Sequence, residues 1–364
     1  MSIPAGPFGY VRDPSLLAAA LGTDLRALDL ARVMIESQRA YSYRVKRVHG
    51  KMRRLAIANP FVSNIQKRIA EFLWPLSLEL HPSCHGYVPG RSAISNAAVH
   101  IGRKWVQRLD IQDFYPSTRT SMVTRALELW GAAPEVASRL AQLTSDNGYL
   151  PLGPSTSPIL SNLILHPIDV GLHASALQRG LSYSRYADDL TFSGVASFDM
   201  SEVVAGAIAP LGYSLNYEKT RTRKRGQRVL VTGLTVVEAD RPRLPKQYKR
   251  RLRQELFYIE EFGLEDHCAR RYHWHWIDDD DEDRHLAHSR RHLYGRIRYA
   301  FGVEQAWTRK LLSSFPDAAS QILPAMPTNK HRVDALITLA TEIRQLSEPR
   351  LSNVPMALGS PTDA

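Results

Sequence analysis

The alternation of hydrophobic and polar positions divides the chain into helical and strand-forming stretches. Over residues 13–38, leucines recur near helical spacing, and Gly22-Thr23-Asp24 divides this stretch into two short helices. Residues 41–58 read as two strands joined around His49-Gly50, and both strands are crowded with lysine and arginine. The pattern therefore predicts a helical segment followed by a basic hairpin.

Helical and strand patterns recur along the rest of the chain. They predict helices over residues 64–80, 122–143, 159–168 and 201–211, and strands over residues 105–109 and 229–237. Beyond Pro245, Leu252, Leu256 and Ile259 form one apolar stripe, while lysines and arginines cover the other faces of the same helix. The last residues are rich in proline and serine, which predicts a disordered tail.

The stretch from Ser182 to Gly194 carries the strongest chemical signal. Strand-forming tyrosine, threonine and phenylalanine flank Asp188 and Asp189, which fall where a tight hairpin turn is expected. Two adjacent carboxylates raise each other's proton affinity unless a cation lies between them. Mg²⁺ prefers carboxylates together with substrate phosphates, so this turn is a candidate metal platform for phosphoryl transfer. A bare Asp-Asp pair is more often a surface turn, but the apolar flanks indicate a half-buried hairpin.

A third carboxylate is expected at the end of a different strand. Trp105, Val106 and Leu109 form an apolar run that leads directly into Asp110. A carboxylate at the carboxyl end of a central strand lies where metal and substrate sites of mixed sheets tend to occur. Tyr115 follows shortly after and either lines a sugar pocket or packs in the core.

The overall charge indicates a polyanionic partner. The 364 residues carry a net charge of +11, which fits nucleic acid or an anionic membrane surface. No apolar run is long enough to cross a membrane, and the first ten residues lack the features of a secretory signal. Two isolated cysteines fit a reducing environment, so we expect a cytoplasmic protein without disulfides.

Taken together, these residues resemble a bacterial retron-type reverse transcriptase. Tyr186-Ala187-Asp188-Asp189 is similar to the metal-binding hairpin of the family, and Asp110 to the aspartate of its other metal-binding motif. The stretch from Gly153 to Pro158 resembles the loop that cradles template and incoming nucleotide. Leu152 departs from the family, which usually has glutamine there to contact the template–substrate pair, so substrate handling is the property placed in doubt.

Two further motifs resemble the retron branch of the family. Asn96-Ala97-Ala98-Val99-His100 is similar to its Asn-Ala-x-x-His motif, and Val231-Thr232-Gly233 to its Val-Thr-Gly motif, which is associated with recognition of the retron's own RNA. All of these motifs occur in the order of the family between residues 41 and 300. Their common order is stronger evidence than any one of them.

The resemblance implies an α+β fold shaped like a right hand, with fingers, an antiparallel-rich palm sheet with helices, and a helical thumb. The corresponding division is an N-terminal helical segment over residues 1–40, fingers and palm over 41–240, a thumb that binds RNA or duplex over 241–346, and a flexible tail over 347–364. No effector domain is visible, so the resemblance implies a separate effector protein and no membrane partner.

The resemblance also implies roles for particular residues. Asp110, Asp188, Asp189 and the main-chain carbonyl of Ile111 would hold two Mg²⁺ ions, or Mn²⁺ in their place. The residues expected to bind the dNTP are Lys51, Arg53, Tyr115, Gly153 and Lys219, with Tyr115 excluding the ribose 2′-hydroxyl. The residues expected to bind RNA are Asn96, His100, Val231, Thr232, Gly233, Lys249, Arg250 and Arg253. The product would be msDNA, a branched RNA-linked single-stranded DNA that is copied from a cognate structured non-coding RNA and used in antiphage defence.

Three alternatives remain open from the sequence. The first is a group II intron-like or other defence-associated reverse transcriptase. The second is a catalytically silent RNA-binding scaffold, although such a protein has no physical need for three mutually repelling carboxylates. The third is whether a zinc site exists at His267, Cys268, His273 and His275. These residues precede an acidic run, but they lack the paired-cysteine spacing typical of a zinc site.

Overall fold

The computed structural model describes residues 6–48, 51–227, 229–272 and 279–323. This part of the chain forms two compact units, one ending at Lys249 and the other beginning at Arg250. The predicted tail over residues 347–364 and the end of the predicted thumb lie outside the described residues. Among the described helices, none combines the length and the apolar character needed to cross a membrane.

The first unit begins with helices and a basic hairpin, as the hydrophobic pattern predicts. Asp24 caps the second helix by accepting a hydrogen bond from the Ala27 N–H at 2.7 Å. The hairpin strands pair antiparallel from Tyr41 opposite Ala58 to Val48 opposite Lys51. The elements are α1 (Pro14–Ala20), α2 (Leu25–Glu36), β1 (Tyr41–Val48), β2 (Lys51–Ala58) and α3 (Pro60–Leu73).

A four-stranded antiparallel sheet forms the centre of this unit. Its strand order is β4-β5-β3-β6, so the strand that ends in Asp110 lies between the Asp188-Asp189 hairpin and an edge strand. A separate two-stranded hairpin, β7–β8, follows the sheet. The elements are α4 (Ala93–Ala98), β3 (Trp105–Asp110), α5 (Phe114–Ser117), α6 (Thr120–Leu129), α7 (Pro134–Thr144), α8 (Ser157–Gln178), β4 (Ser182–Tyr186), β5 (Asp189–Gly194), α9 (Ser201–Ile208), β6 (Arg221–Lys224), β7 (Leu230–Val231) and β8 (Leu234–Thr235).

Helix α8 is longer than the sequence pattern predicts. A break near residue 168 is expected because Pro167 has no N–H to donate and should leave the Leu163 carbonyl without a helical partner. In the structure the Trp130 indole N–H donates to that carbonyl at 3.4 Å, and α8 continues through Pro167 to Gln178. The prediction of a short helix is therefore wrong, because Trp130, the residue that follows α6, replaces the missing donor.

The second unit is helical. Leu252, Leu256 and Ile259 are fully buried, as the apolar stripe predicts. The first helix bends at Gly263, whose φ of +83° is not helical. The elements are α10 (Lys246–Tyr272), which begins in the first unit, α11 (Asp279–Val303), α12 (Gln305–Ser313) and α13 (Pro316–Ile322).

Candidate active site

The register of the central sheet brings the three predicted carboxylates to one end of it. Strand β3 pairs with β5 so that Asp110 lies directly opposite Asp189. Tyr186 pairs with Asp189 across a two-residue turn, and Ala187 in that turn has a φ of +57°. The Ile111 N–H donates to the Asp188 carbonyl at 3.3 Å and links the turn to the end of β3. This turn, Ala187-Asp188, is called the catalytic turn, after the role that the sequence predicts for it.

The charges at the catalytic turn are unevenly balanced. Burial, then the negative charges of Asp189 and Asp110, raises the pKa of Asp188 to about 6. The Lys219 ammonium donates to Asp110 Oδ2, and Arg108 Nη2 donates to Asp189 Oδ2 at 2.9 Å. Asp110 and Asp189 therefore each have a cationic partner, while Asp188 stands between two like charges.

The donor atoms fit a divalent cation, although the described side chains do not yet converge on one. Among the described residues, no three His, Cys, Asp or Glu side chains form a ready-made metal site. Carboxylate oxygens are nevertheless the ligands that Mg²⁺ prefers, and the raised pKa of Asp188 shows the repulsion that a cation would relieve. Lys219 and Arg108 would exchange their carboxylate partners when a metal binds. Within the described residues no histidine or cysteine belongs to a metal-binding cluster, and this holds for His267 and Cys268. His273 and His275 lie outside the described residues.

A buried ion pair supports the catalytic turn from behind. Arg185 on β4 and Asp169 on α8 have side chains that are 1% and 0% exposed, and Arg185 Nη2 and Nε donate to the two Asp169 oxygens at 2.6 and 2.8 Å. Burial alone would lower the pKa of Arg185, but the Asp169 carboxylate outweighs burial and raises it. Arg185 Nη1 also donates to the Ala187 carbonyl at 2.9 Å. The ion pair therefore holds the backbone of the turn.

Gly86 lies in a loop that packs against the backbone of the same turn. A Cβ placed on Gly86 would lie 2.5 Å from the Ala187 nitrogen, so only glycine allows this loop to reach the turn. Asn162 on α8 joins the two supports, because its Nδ2 donates to the Gly86 carbonyl at 2.8 Å and its Oδ1 accepts from Arg185 Nη1 at 3.0 Å. The sequence analysis missed this support, since none of its parts forms a motif by itself.

A cavity of about 500 Å³ opens beside the catalytic turn, and its lining residues come from five separate segments. Among its lining residues are three of the predicted nucleotide-binding residues, Arg53, Tyr115 and Lys219, together with Asp188 and the backbone of Ile111. Lys51 is also predicted to bind the nucleotide, but its side chain is not among those that the structure describes. The cavity brings the predicted metal end of the sheet and the basic hairpin to one space.

The loop before α8 closes one wall of this cavity through Leu152 and Gly153. The Leu152 carbonyl accepts from the Ala56 N–H at 2.8 Å, and Leu152 lines the cavity. Gly153 has a φ of +133°, and a Cβ there would collide with the Ala56 carbonyl. Gly153 therefore brings the loop into close contact with the backbone of strand β2, and its contact with the nucleotide stays a prediction.

Sequence reasoning missed part of the cavity wall. Arg54 stacks over the Tyr43 ring at 3.6 Å from its centroid, and the Tyr43 hydroxyl donates to Asp146. The Asn216 N–H donates to the Asp110 carbonyl at 2.8 Å and fixes the segment that carries Lys219. The only sequence signal for these residues is the cluster of arginines on the hairpin, which includes Arg54.

The predicted contact of Asn96 and His100 with RNA does not hold in this structure. Asn96 is 1% exposed and His100 is 0% exposed. His100 Nδ1 and Nε2 bond the Ser193 and Ser184 hydroxyls, each at 2.7 Å, so the ring fastens the end of α4 to the central sheet. The motif packs inside the protein here, because both of its polar side chains are buried, although only His100 is bonded at its polar side-chain atoms; the Asn96 side-chain oxygen has no hydrogen-bond partner among the described residues.

The Val-Thr-Gly motif forms the turn of the β7–β8 hairpin and contacts α4. Thr232 and Gly233 have φ values of +45° and +83°, the signs required for a type I′ turn. A β-branched residue is rare in that conformation, and the Thr232 hydroxyl compensates by donating to the Ala93 carbonyl at 2.7 Å. Val231 is buried, whereas Gly233 is exposed. The fold therefore joins the two motifs that are similar to retron enzymes.

The remaining predicted RNA-binding residues lie on helix α10. Arg250 and Arg253 are exposed, and Lys249 is half-buried. Arg250 and Arg253 lie outside the buried leucine stripe, whereas Lys249, three residues before Leu252, borders it. The contact of these residues with RNA stays a prediction.

Comparison with known proteins identifies the family. The family model for reverse transcriptase (RNA-dependent DNA polymerase) matches residues 45–236, more than half of the chain. The chain belongs to the reverse transcriptase family. The matched segment runs from the basic hairpin to the β7–β8 hairpin and contains the catalytic turn and the cavity. The right-hand polymerase fold class predicted from the sequence is confirmed.

The curated relatives narrow the family to the retron type. The Retron Mx65 reverse transcriptase of Myxococcus xanthus is 33% identical over 269 residues, and the match covers 66% of this chain and 63% of the relative. The Retron Se72 reverse transcriptase of Salmonella heidelberg is 29% identical, with 71% of each chain covered. The Retron Ec86 reverse transcriptase of Escherichia coli is 30% identical, with 50% of this chain and 58% of the relative covered. The predicted resemblance to bacterial retron-type reverse transcriptases is confirmed, while the chain spans less than two thirds of the Mx65 relative's length.

A solved telomerase from Candida albicans, in complex with a fragment of telomeric RNA, has a TM-score of 0.44 to this chain. The match covers 83% of this chain and 63% of that chain at 10% identity. This similarity is too low to establish a shared fold by itself.

Substitution of Gly86 by alanine tests the support of the catalytic turn. The new Cβ must displace the Ala187 nitrogen, and a misplacement of about 1 Å at reacting groups can cost about a hundredfold in rate. We expect Gly86→Ala to lower primer extension by that order while the protein stays folded. Gly171→Ala, at a site with nothing within 4 Å, serves as the control. Equal activity of the two variants would show that the turn does not need this contact.

A pair of variants separates the stabilising and positioning roles of the buried ion pair. Arg185→Met leaves Asp169 buried without its partner, which should cost about 3–5 kcal/mol of unfolding free energy. Arg185→Met/Asp169→Leu should recover much of that stability, measured as a urea midpoint, because no charge remains buried. Synthesis should not recover, since the Ala187 carbonyl still lacks its donor. A double variant with wild-type primer extension would contradict the positioning role.

The buried state of His100 predicts a loss of stability in acid. Burial, with the nearby His85 and Arg103, lowers the pKa of His100 from 6.5 to about 3. Because the unfolded chain binds a proton at this residue more readily, the stabilisation is complete above pH 6.5 and decreases as the pH falls towards 3. The slope approaches about 1.4 kcal/mol per pH unit only below pH 6.5, so the unfolding free energy measured with urea should fall by about 2 kcal/mol between pH 7 and pH 5.

The slope should be shallower in His100→Asn, which has no titrating group at this position. Some dependence should remain, because burial also lowers the pKa of His85 to about 4. An unchanged slope in His100→Asn would mean that His100 is not buried as a neutral ring in solution.

Proposed function

We propose that this chain is the RNA-directed DNA polymerase of a retron. In this proposal it copies a cognate structured non-coding RNA into DNA by nucleotidyl transfer, with dNTPs as substrates and two Mg²⁺ ions, or Mn²⁺, at the catalytic turn. The single observation that carries the proposal is the pairing of Asp110 with Asp189 beside Asp188, at the edge of a cavity that also holds Arg53, Tyr115 and Lys219. These residues come from separate segments, and the reaction needs all of them in one place.

The residues take distinct roles in the proposed reaction. Asp110, Asp188, Asp189 and the Ile111 carbonyl would hold the metal ions. Bound Mg²⁺ supplies a lowered pKa for the attacking hydroxyl and stabilises charge on the leaving pyrophosphate. In the reaction the hydroxyl oxygen of the growing end forms a bond to the α-phosphorus, the bond from that phosphorus to pyrophosphate breaks, and the hydroxyl proton is released.

The other lining residues would orient the substrate. The cationic Arg53 and Lys219 would neutralise the triphosphate, with Lys51 alongside them. Tyr115 is 8% exposed, and this aromatic wall would leave no room for a ribose 2′-hydroxyl. Gly153 would keep the loop before α8 close against strand β2 and so set the width of the cavity.

The retron-specific part of the proposal concerns the RNA and the product. The named relatives are retron reverse transcriptases, and Thr232 of one retron-like motif bonds Ala93 at the start of α4, the helix in which the other motif begins. We therefore propose that the chain synthesises msDNA primed from a 2′-hydroxyl of the RNA. We also propose that it acts in antiphage defence with a separate effector protein and that it is located in the cytoplasm. The net charge of +11 and the exposed Arg250 and Arg253 support binding to the RNA backbone.

Removal of one catalytic carboxylate tests the proposed chemistry. Asp188→Asn should reduce primer extension with dNTPs and Mg²⁺ by at least about a hundredfold, because the site loses a negative charge that would hold the cation. RNA binding, measured by fluorescence anisotropy, should be unchanged. Glu202→Gln removes an exposed carboxylate on α9 and should extend primers at the wild-type rate. Extension that persists in Asp188→Asn would refute the metal assignment.

Expression with the native flanking DNA tests the retron assignment. Total nucleic acid treated with RNase should contain a discrete single-stranded DNA, and this DNA should disappear in Asp188→Asn. A chain that extends primers in vitro but yields no such DNA would be a group II intron-like or other defence-associated reverse transcriptase. A chain that binds RNA without extending primers would be a silent scaffold.

A further inference from the structure

Strand β6, at the edge of the central sheet, carries a concentration of positive charge that the proposed reaction does not use. Residues 221–228 contain five lysines and arginines and no acidic residue. All four residues of β6 are exposed. Among the described residues, no ion pair is formed by Arg221, Arg223, Lys224 or Arg225. So many unpaired like charges repel one another and favour a polyanion nearby.

The register of β6 determines which way these side chains face. Arg221 pairs with Arg108 and Arg223 pairs with Val106, and paired residues of neighbouring strands lie on the same face of a sheet. Side chains alternate along a strand, so Arg108 and Val106 share the face of Asp110. Arg221 and Arg223 therefore lie on the face of the sheet that carries the catalytic carboxylates. Lys224, opposite Trp105, lies on the other face and stacks towards that ring.

Arg221 and Arg223 lie at regularly increasing distances from Asp110 along the sheet. Strands rise about 3.3 Å per residue, so Arg108 and Arg221 lie about 7 Å along the sheet from Asp110, and Arg223 about 13 Å. Arg108 already bonds Asp189, which connects the row to the catalytic turn. We call Arg221 and Arg223 the arginine row. A linear polyanion that ends at the carboxylates would pass along it.

We infer that the arginine row binds the phosphate backbone of the nucleic-acid strand whose reacting end lies at the catalytic turn. This inference rests on the proposed function, because that function places the growing end at Asp110, Asp188 and Asp189. Guanidinium groups suit the task, since they stay charged and can bond two phosphate oxygens at once. Charged residues on an edge strand also prevent edge-to-edge pairing between molecules, but either sign of charge would serve that purpose.

The test compares two charge-removing double variants of the full chain. Arg221→Gln/Arg223→Gln removes the arginine row, and Arg12→Gln/Arg26→Gln removes two exposed arginines from the N-terminal segment as a matched control. The probe is a fluorescent RNA–DNA hybrid with a recessed DNA 3′ end, and its dissociation constant is measured over a series of salt concentrations. Each lost phosphate contact should reduce the slope of log affinity against log salt by about 0.9.

The row variant should therefore reduce that slope by about 1.8, and the control should leave it unchanged. Arg221→Lys/Arg223→Lys keeps both charges and should restore most of the slope. Because both side chains are exposed, we expect the thermal midpoint of the row variant to equal that of the wild type. Such a result would exclude a folding defect. Fewer nucleotides added per binding event should accompany the loss of slope.

Other outcomes overturn the inference in distinguishable ways. A wild-type chain that binds and extends the hybrid, with the same slope in the row variant, would refute the arginine row alone. A slope that falls for a double-stranded RNA probe but not for the hybrid would assign the row to an RNA stem and contradict the inference. A wild-type chain that neither binds nor extends the hybrid would refute the proposed function, and the inference with it.

Discussion

The buried ion pair between Arg185 and Asp169 is the interaction on which the catalytic end of the sheet depends. Removing two charges from water costs several kcal/mol for each ion, and the cost is offset only when the geometry satisfies the donors. Here the guanidinium bonds both oxygens of Asp169, the Asn162 amide, the Ala187 carbonyl and the Cys84 sulfur. Because these partners belong to a helix, a loop and the catalytic turn, one side chain makes the three segments a single rigid support.

The electrostatics of the site follow from what this support imposes. The fixed turn holds Asp188 in a buried position near Asp189 and Asp110, and burial, followed by the two neighbouring negative charges, raises the pKa of Asp188. Lys219 and Arg108 partly neutralise the two outer carboxylates. A negative centre within a chain of net charge +11 suits a reaction that joins a cation, a triphosphate and a nucleic-acid backbone.

The two motifs that resemble retron enzymes have mainly a structural part in this chain. His100 is bonded at both ring nitrogens inside the protein, and Thr232 is held in a conformation unusual for threonine by its bond to Ala93. A strained residue persists only where its surroundings determine its position, and such residues cluster at functional sites. The exposed residues of the two motifs are Ala98 and Gly233, so recognition of RNA by exposed motif residues would involve these two positions.

The sequence by itself determined the local elements and the family. Alternating strand formers around Asp188 and Asp189, and an apolar run into Asp110, are local patterns, and the structure contains the hairpin and the strand that they predict. The order of short motifs predicted a retron-type reverse transcriptase, and the family match confirmed it.

Only the tertiary structure decided how distant segments meet. The opposition of Asp110 and Asp189, the bond of Arg185 to Asp169 and the burial of His100 all join residues far apart in the chain. Where α8 continues through Pro167, the indole of Trp130, just after α6, bonds the carbonyl that the proline leaves without a helical donor. Local periodicity shows which face of an element is apolar, but it does not show which other element will cover that face, because pairing and packing depend on the whole chain at once.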